Sequence, residues 1–210
     1  MHAYLTRLGI RPEVQRFFRP FYCSDDLGNL VFDYGEGMEH FGFAFHRVPV
    51  TDGFWLAGNL QLSQVRLVIL SATALDAVSW LNKKAAAFPQ TENLLFVSLG
   101  AGVSDAQLLW IRSNLAGKQF RLLFGRDVLG RMADVKLAAT IKSWPLSVYL
   151  GAGEQVVVSF RQYHFSFIQE QFSLAAFERA AGVRFGTATD KPKVYNTFFD
   201  ELKAEAGLLI

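Results

Sequence analysis

The chain has 210 residues, enough for one ordinary domain or one domain with a modest appendage; 51% are hydrophobic, 14% aromatic and only 19% charged, which excludes disorder for its bulk. No apolar run reaches the roughly 18 residues of a membrane-spanning helix; Asp76 interrupts the nearest one, Arg7 and Arg11 break any leader-like stretch, and the lone Cys23 excludes an internal disulfide or a cysteine-based zinc site, so a cytoplasmic protein without a membrane partner is expected. The net charge of +2 is unevenly spread, with −2 over residues 1–60, +5 over 61–150 and −1 over 151–210, so the middle segment points to a polyanionic partner or to a solvated Lys/Arg surface.

In chain order, Pro12 opens a helix that Pro20 ends. Residues 21–23 and 30–32 flank a turn-rich stretch and read as a hairpin, residues 40–48 as a strand containing Gly42, and Phe54, Trp55 and Leu56 as a short strand after the Asp52-Gly53 turn. The first 62 residues therefore read as a small α+β segment, a helix plus antiparallel hairpins. The pattern then changes. Residues 65–70, 94–99, 120–124 and 146–150 are short apolar runs, as buried parallel strands are. Helical patterns separate the first three, one of them opened by the capping box Ser104 and Gln107. Residues 63–150 are thus expected to form a four-stranded, mainly parallel sheet with flanking helices. In residues 151–210 an edge strand is expected at 155–160. A helix capped by Ser173 and ended by Gly182 follows, then one capped by Thr197 that buries Phe198, Leu202 and Ala206.

In an open parallel sheet, ligands bind beyond the carboxyl ends of the strands. Those ends are Ser71-Ala72-Thr73, Gly100-Ala101-Gly102 and Gly125-Arg126-Asp127, with Gly130 closing the last turn and Asp76 one helical turn beyond the first. Other candidates are weaker. Gly100 and Gly102 lack the third glycine of a dinucleotide fingerprint. His40 and His46 could share a metal across a hairpin but have no third ligand, Ser71 lacks a nucleophile elbow, and Trp80 and Trp110 read as core.

Residues 68–77 resemble the first motif of the Toprim fold, shared by bacterial primases, topoisomerases and related nucleases. Residues 99–102 are similar to that family's glycine turn after its second strand, and residues 122–130 to its Asp-x-Asp-x-x-Gly motif. Upstream, residues 40–59 resemble the strand pair that precedes this fold in primase-like proteins of mobile elements. The resemblance implies phosphoryl-transfer chemistry on Mg²⁺ held by clustered carboxylates. Here, however, the motif-one Glu position is Ala72, the following Gly is Thr73 and the first motif-three Asp is Gly125, leaving Asp127 with Asp76 nearby. A hard cation wants several oxygen ligands, so no cofactor is expected.

The residues and the resemblance together point to a catalytically impaired Toprim-like protein that binds nucleic acid through Lys83, Lys84, Arg126, Arg131 and Lys136, or assists a replication or mobile-element protein. The alternatives are an active Mg²⁺-dependent nuclease or primase using Asp127 and Asp76, and a non-enzymatic module that binds a protein partner or forms a homo-oligomer.

Overall fold

A computed structural model describes residues 1–208 and is mixed α/β. Helices α1 (Ala3–Arg7) and α2 (Pro12–Phe18) lead into four short strands, β1 (Cys23–Ser24), β2 (Leu30–Asp33), β3 (Met38–Phe41) and β4 (His46–Arg47), which pair in that order as an antiparallel sheet. Next come β5 (Trp55–Gly58), β6 (Leu67–Ser71), α3 (Ala74–Lys84), β7 (Leu94–Ser98), α4 (Asp105–Asn114), β8 (Gln119–Leu122) and α5 (Val128–Ile141). The chain finishes with β9 (Leu146–Leu150), β10 (Gln155–Phe160), β11 (Tyr163–Ile168), α6 (Leu174–Ala181), β12 (Ala188–Thr189) and α7 (Phe198–Glu205).

The central sheet has the order β12-β8-β6-β7-β5. Strands β7 and β8 both run parallel to β6; β6 and β7 are apolar and buried almost throughout, whereas β8 alternates Gln119 and Arg121 with buried Phe120 and Leu122. All five residues of β7 are buried, and β6 sends alternate side chains into two cores. Ile69 packs with α2, α3 and α7, whereas Val68 and Leu70 pack with α4 and α5. Helices thus cover both faces.

The four-stranded parallel sheet expected for residues 63–150 is corrected at its fourth strand. Residues 146–150 leave that sheet and pair antiparallel with β10. Their side chains alternate between partly buried Leu146 and Val148 and exposed Ser147 and Tyr149, a period of two rather than a buried run. The turn to β10 is also too short for a parallel crossover, which needs about a dozen residues. The vacant edge beside β8 is taken by parallel β12.

Three further corrections follow from pairing. Residues 155–160 form the middle of the β9-β10-β11 sheet rather than an edge, since β11 covers their other side. Residues 38–47 form a hairpin, with Gly42 bonding back to Phe45 across its tip, not one strand. Strand β5 pairs antiparallel with β7, so the expected boundary at residue 62 falls inside the span of the central sheet. In α7, Phe198, Phe199 and Leu202 are buried, and Ala206 is the C-cap rather than a core residue.

Candidate functional site

The carboxyl end of the central sheet is not an open crevice. The β1–β4 sheet and the loop after it lie over the ends of β6 and β7. At the end of β6, Ser71 Oγ donates to the Thr73 carbonyl at 2.9 Å and accepts from Ser98 Oγ at 2.7 Å, and both serines are fully buried. Its proton is therefore committed to a backbone oxygen, as suits a structural serine. The Ala72 side chain packs into the core shared with α4 and α5. Thr73 caps α3 by accepting from the Asp76 amide and donates its own hydroxyl proton to Asp76 Oδ2 at 2.8 Å.

A second carboxylate at this strand end is Glu39, which no sequence motif singled out. It projects from β3, is fully buried, and sits on the N-terminus of α3. Its Oε2 accepts from the Ala74 amide at 2.7 Å and from the Tyr34 hydroxyl at 2.7 Å, and its Oε1 accepts from the Leu75 amide at 3.3 Å. His46 Nε2 lies 2.9 Å from Oε1, and because a carboxylate only accepts, the imidazole donates. A negative group here meets the unpaired amides and positive end of the helix dipole. Burial together with the neighbouring Glu39 charge pushes the Tyr34 hydroxyl well above its ordinary range. The signal was available in the hairpin: β3 pairs Glu39 with Phe32 and Phe41 with Leu30, and Phe32 and Leu30 both face the core. The two-residue period of a strand then turns Glu39 inward.

Asp76 is also spent. Its Oδ1 accepts from the Phe199 amide at 3.0 Å, which caps α7 from across the fold. Burial pushes its carboxyl up to about 6, against the pull of the Phe199, Thr73 and Thr197 hydrogen bonds. At the end of β7, Gly100 adopts φ +83°, donates to the Ala72 carbonyl, and lies so close to Pro49 that a Cβ would fall 2.5 Å from the Pro49 oxygen. A Cβ on Gly102 would meet nothing within 4 Å, and this glycine borders a shallow cavity of about 460 Å³ with Glu36 and Asp52.

The end of β8 is different. Asp127 caps α5, with Oδ1 accepting from the Gly130 amide at 2.7 Å and Oδ2 from Asn196 Nδ2 at 2.7 Å. A Cβ at Gly125 would lie 2.9 Å from Asn196 Oδ1 and 3.0 Å from Asp127 Oδ2, so it would press on the side-chain pair that holds this turn. Gly130 packs directly on the Gly125 backbone. Beside this turn lies a cavity of about 390 Å³ between α5 and the N-terminus of α6, lined by Arg126, Arg131, Lys191 and Asp134. Arg131 donates to the carbonyls of Gln169, Glu170 and Phe172, and Arg126 to those of Pro192 and Lys193. Lys191 Nζ bridges Asp134 Oδ2 at 2.5 Å and the carbonyls of Phe124 and Gly125. Burial nevertheless pushes the Asp134 carboxyl up to about 7, and its Oδ1 has no hydrogen-bond partner among the described residues.

The five cations singled out from the sequence do not form one patch. Arg126 and Arg131 share the cavity just described. Lys136, further along α5, reaches the Val103 carbonyl and Asp105. Lys83 and Lys84 stand at the far end of α3, paired with Glu201 and Glu205 and with Asp190.

Mg²⁺ chemistry does not fit this donor set. Glu39, Asp76 and Asp127 each neutralise the N-terminus of a different helix, Ala72 and Gly125 carry no ligand atom, and Asp134 is held by Lys191. Among the described residues no group of three or more His, Cys, Asp or Glu side chains could hold a metal ion. His40 and His46 follow suit: they are not opposite one another, since His40 pairs with Arg47 and His46 with Phe41.

The buried acids make stability pH-dependent. Asp76 and Asp134 titrate higher in the folded chain than in the unfolded one, so the stability they confer is complete below about pH 4 and is lost as pH rises through about 6 and 7. For Asp76 the shift corresponds to roughly 3 kcal/mol. Urea denaturation is expected to give a higher midpoint at pH 5 than at pH 8, and Asp76→Asn should flatten that difference. An unchanged slope in the variant contradicts the assignment.

No helix among the described residues is long and apolar enough to cross a membrane. Comparison with protein-family models, with curated proteins and with solved structures gives no match.

Proposed function

We propose that the chain is a catalytically impaired protein of the Toprim type whose work is binding nucleic acid rather than cutting, joining or priming it. The observation that carries this reading is the fate of four acids near the strand ends: Glu39, Asp76 and Asp127 each cap a helix, and Asp134 pairs with a lysine. Phosphoryl transfer rests on converging negative charge that gathers divalent cations. What stands open beside β8 is instead a cavity with two arginines and a lysine next to the first turn of α6. Backbone amides at a helix start favour phosphate oxygens, and guanidinium groups bind them in pairs.

The test uses a labelled single-stranded oligonucleotide and fluorescence anisotropy. Arg126→Ala with Arg131→Ala is expected to weaken binding and to lower the slope of log K against log salt by about one per phosphate contact removed. Circular dichroism controls for folding, because both arginines also hold loop carbonyls. Affinity and slope equal to those of the natural chain contradict the site. Incubation with Mg²⁺ or Mn²⁺ is expected to leave the oligonucleotide intact; cleavage that Asp127→Ala abolishes favours the active-enzyme reading instead.

A homo-oligomer is favoured by one separate feature. The β9-β10-β11 sheet exposes Tyr149 and Ile168 on its outer face and Leu150 and Tyr163 at the ends of its edge strands, and both edge strands are unpaired among the described residues.

A further inference from the structure

On the face of the N-terminal sheet that also carries Glu39, α1, the tip of the β3–β4 hairpin and α7 enclose a pocket of about 550 Å³. Its inner wall is a ring of edge-to-face aromatic contacts. Tyr4 and Phe41 meet at 5.8 Å, Phe41 and Phe199 at 5.2 Å, and His46 meets both Phe41 and Phe199 at 5.8 and 5.2 Å. The hairpin tip adds Phe43, 77% exposed, and Phe45, 39% exposed. Two rings this open contribute little to the core. The tip is nonetheless closely fitted: a Cβ on Gly42 would fall 2.5 Å from both Asn29 Oδ1 and the Phe45 ring.

Cations stand over the aromatic faces. The Arg7 guanidinium lies 5.5 Å from the centre of the Phe43 ring, Lys203 Nζ 4.9 Å from that of Phe199, and Arg47 5.5 Å from that of Phe45. Arg7 and Lys203 line the pocket itself. The His46 ring is fixed from behind by its bond to buried Glu39, so the inner wall is rigid.

We propose that this pocket binds a planar aromatic anion, a flat ring carrying a phosphate or carboxylate. A flat ring gains offset or edge-on contacts with Phe41, Phe43, Phe45 and Phe199 that an aliphatic chain of equal area does not. Its acidic group meets Arg7, which has no ion pair among the described residues, and Lys203, whose Nζ also pairs with Asp200 Oδ1 at 2.9 Å. An organic cation of the kind aromatic cages take up is repelled by Arg7. The volume lies in the range of small-molecule sites. The pocket is independent of phosphate binding at the β8 end, because the two sites are lined by different residues of different elements.

Two kinds of compound carry this chemistry, nucleotides and small aromatic acids, and calorimetry on the full chain separates them. The probes are adenosine 5′-monophosphate, 2-naphthoate, adenosine and decanoate. Saturable binding of the monophosphate, of naphthoate, or of both is expected, with adenosine and decanoate weaker. The monophosphate alone identifies a nucleotide site; naphthoate alone identifies an aromatic acid. Phe43→Ala with Phe45→Ala, both at the exposed tip, should weaken the ring anion about tenfold, the scale of one lost stacking platform. Arg7→Ala should weaken it severalfold while leaving adenosine unaffected. Decanoate binding as tightly as the ring anions, no binding by any probe, or full affinity in the Phe43/Phe45 variant overturns the proposal.

Discussion

Glu39→Ala is expected to destabilise the fold by about 3–5 kcal/mol, the cost of removing one partner from a buried, charged hydrogen-bond set. The substitution strands four donors at once: the amides of Ala74 and Leu75, the Tyr34 hydroxyl and His46 Nε2. Tyr34 and Ala74 are fully or almost fully buried, so water cannot replace the lost carboxylate without opening the core. It also removes a negative charge from the start of α3, the helix that packs against both α2 and α7. Glu39→Gln keeps an acceptor for the amides but turns its NH₂ toward one of the other donors, so a smaller loss of about 1–2 kcal/mol is expected. Denaturant midpoints measure both. A loss below about 1 kcal/mol for the alanine variant would show that Glu39 is dispensable and that the strand end is not locked by it.

Gly130→Ala should cost about 3 kcal/mol or more, at the upper end of what overpacking does. The added methyl would lie 2.3 Å from the Gly125 carbonyl oxygen and 2.6 Å from its amide nitrogen. Backbone cannot swing aside as a flexible side chain can. Relief requires moving the β8-to-α5 turn, which carries the Asp127 cap and the carbonyls that hold Lys191. Gly102→Ala is the matched control at the neighbouring strand end: with no atom within 4 Å, it should change stability by less than about 0.5 kcal/mol. Thermal unfolding of the pair decides. Equal, small effects would mean that the β8 turn is looser than its packing implies.

The parts of the fold that the sequence made legible are those written locally. Strands β6 and β7 read as parallel because burial on both faces leaves no polar side for alternation, whereas β8 alternates Gln119 and Arg121 with buried Phe120 and Leu122 and was placed by the helices around it. Caps were equally readable: Ser104 with Gln107, Ser173 with the left-handed Gly182, and Thr197 each satisfy amides a few residues away. Asp127 caps α5 from its place directly before Val128. The fourth strand misled because Leu146, Val148 and Leu150 are apolar whether the strand is buried on one face or two; the short glycine turn after it was the better guide. The partners of the acids at the strand ends were not legible. Glu39 reaches Ala74, Asp76 reaches Phe199, and Lys191 reaches Asp134 across long stretches of chain. No local spacing encodes such pairs. The cations show the converse: Arg126, just before the Asp127 cap, and Arg131, in the first turns of α5, line one cavity, whereas Lys83 and Lys84 lie on another helix, bound to their own acids.

The most direct test of a binding role at a strand end without catalytic acids is the salt dependence of oligonucleotide affinity, measured by anisotropy with Mg²⁺ and again with a chelator. The expected result is an affinity that falls steeply from low to moderate salt, apart from the competition Mg²⁺ itself offers for phosphates. Binding that is absent even at low salt, or that appears only when Mg²⁺ is present, contradicts it.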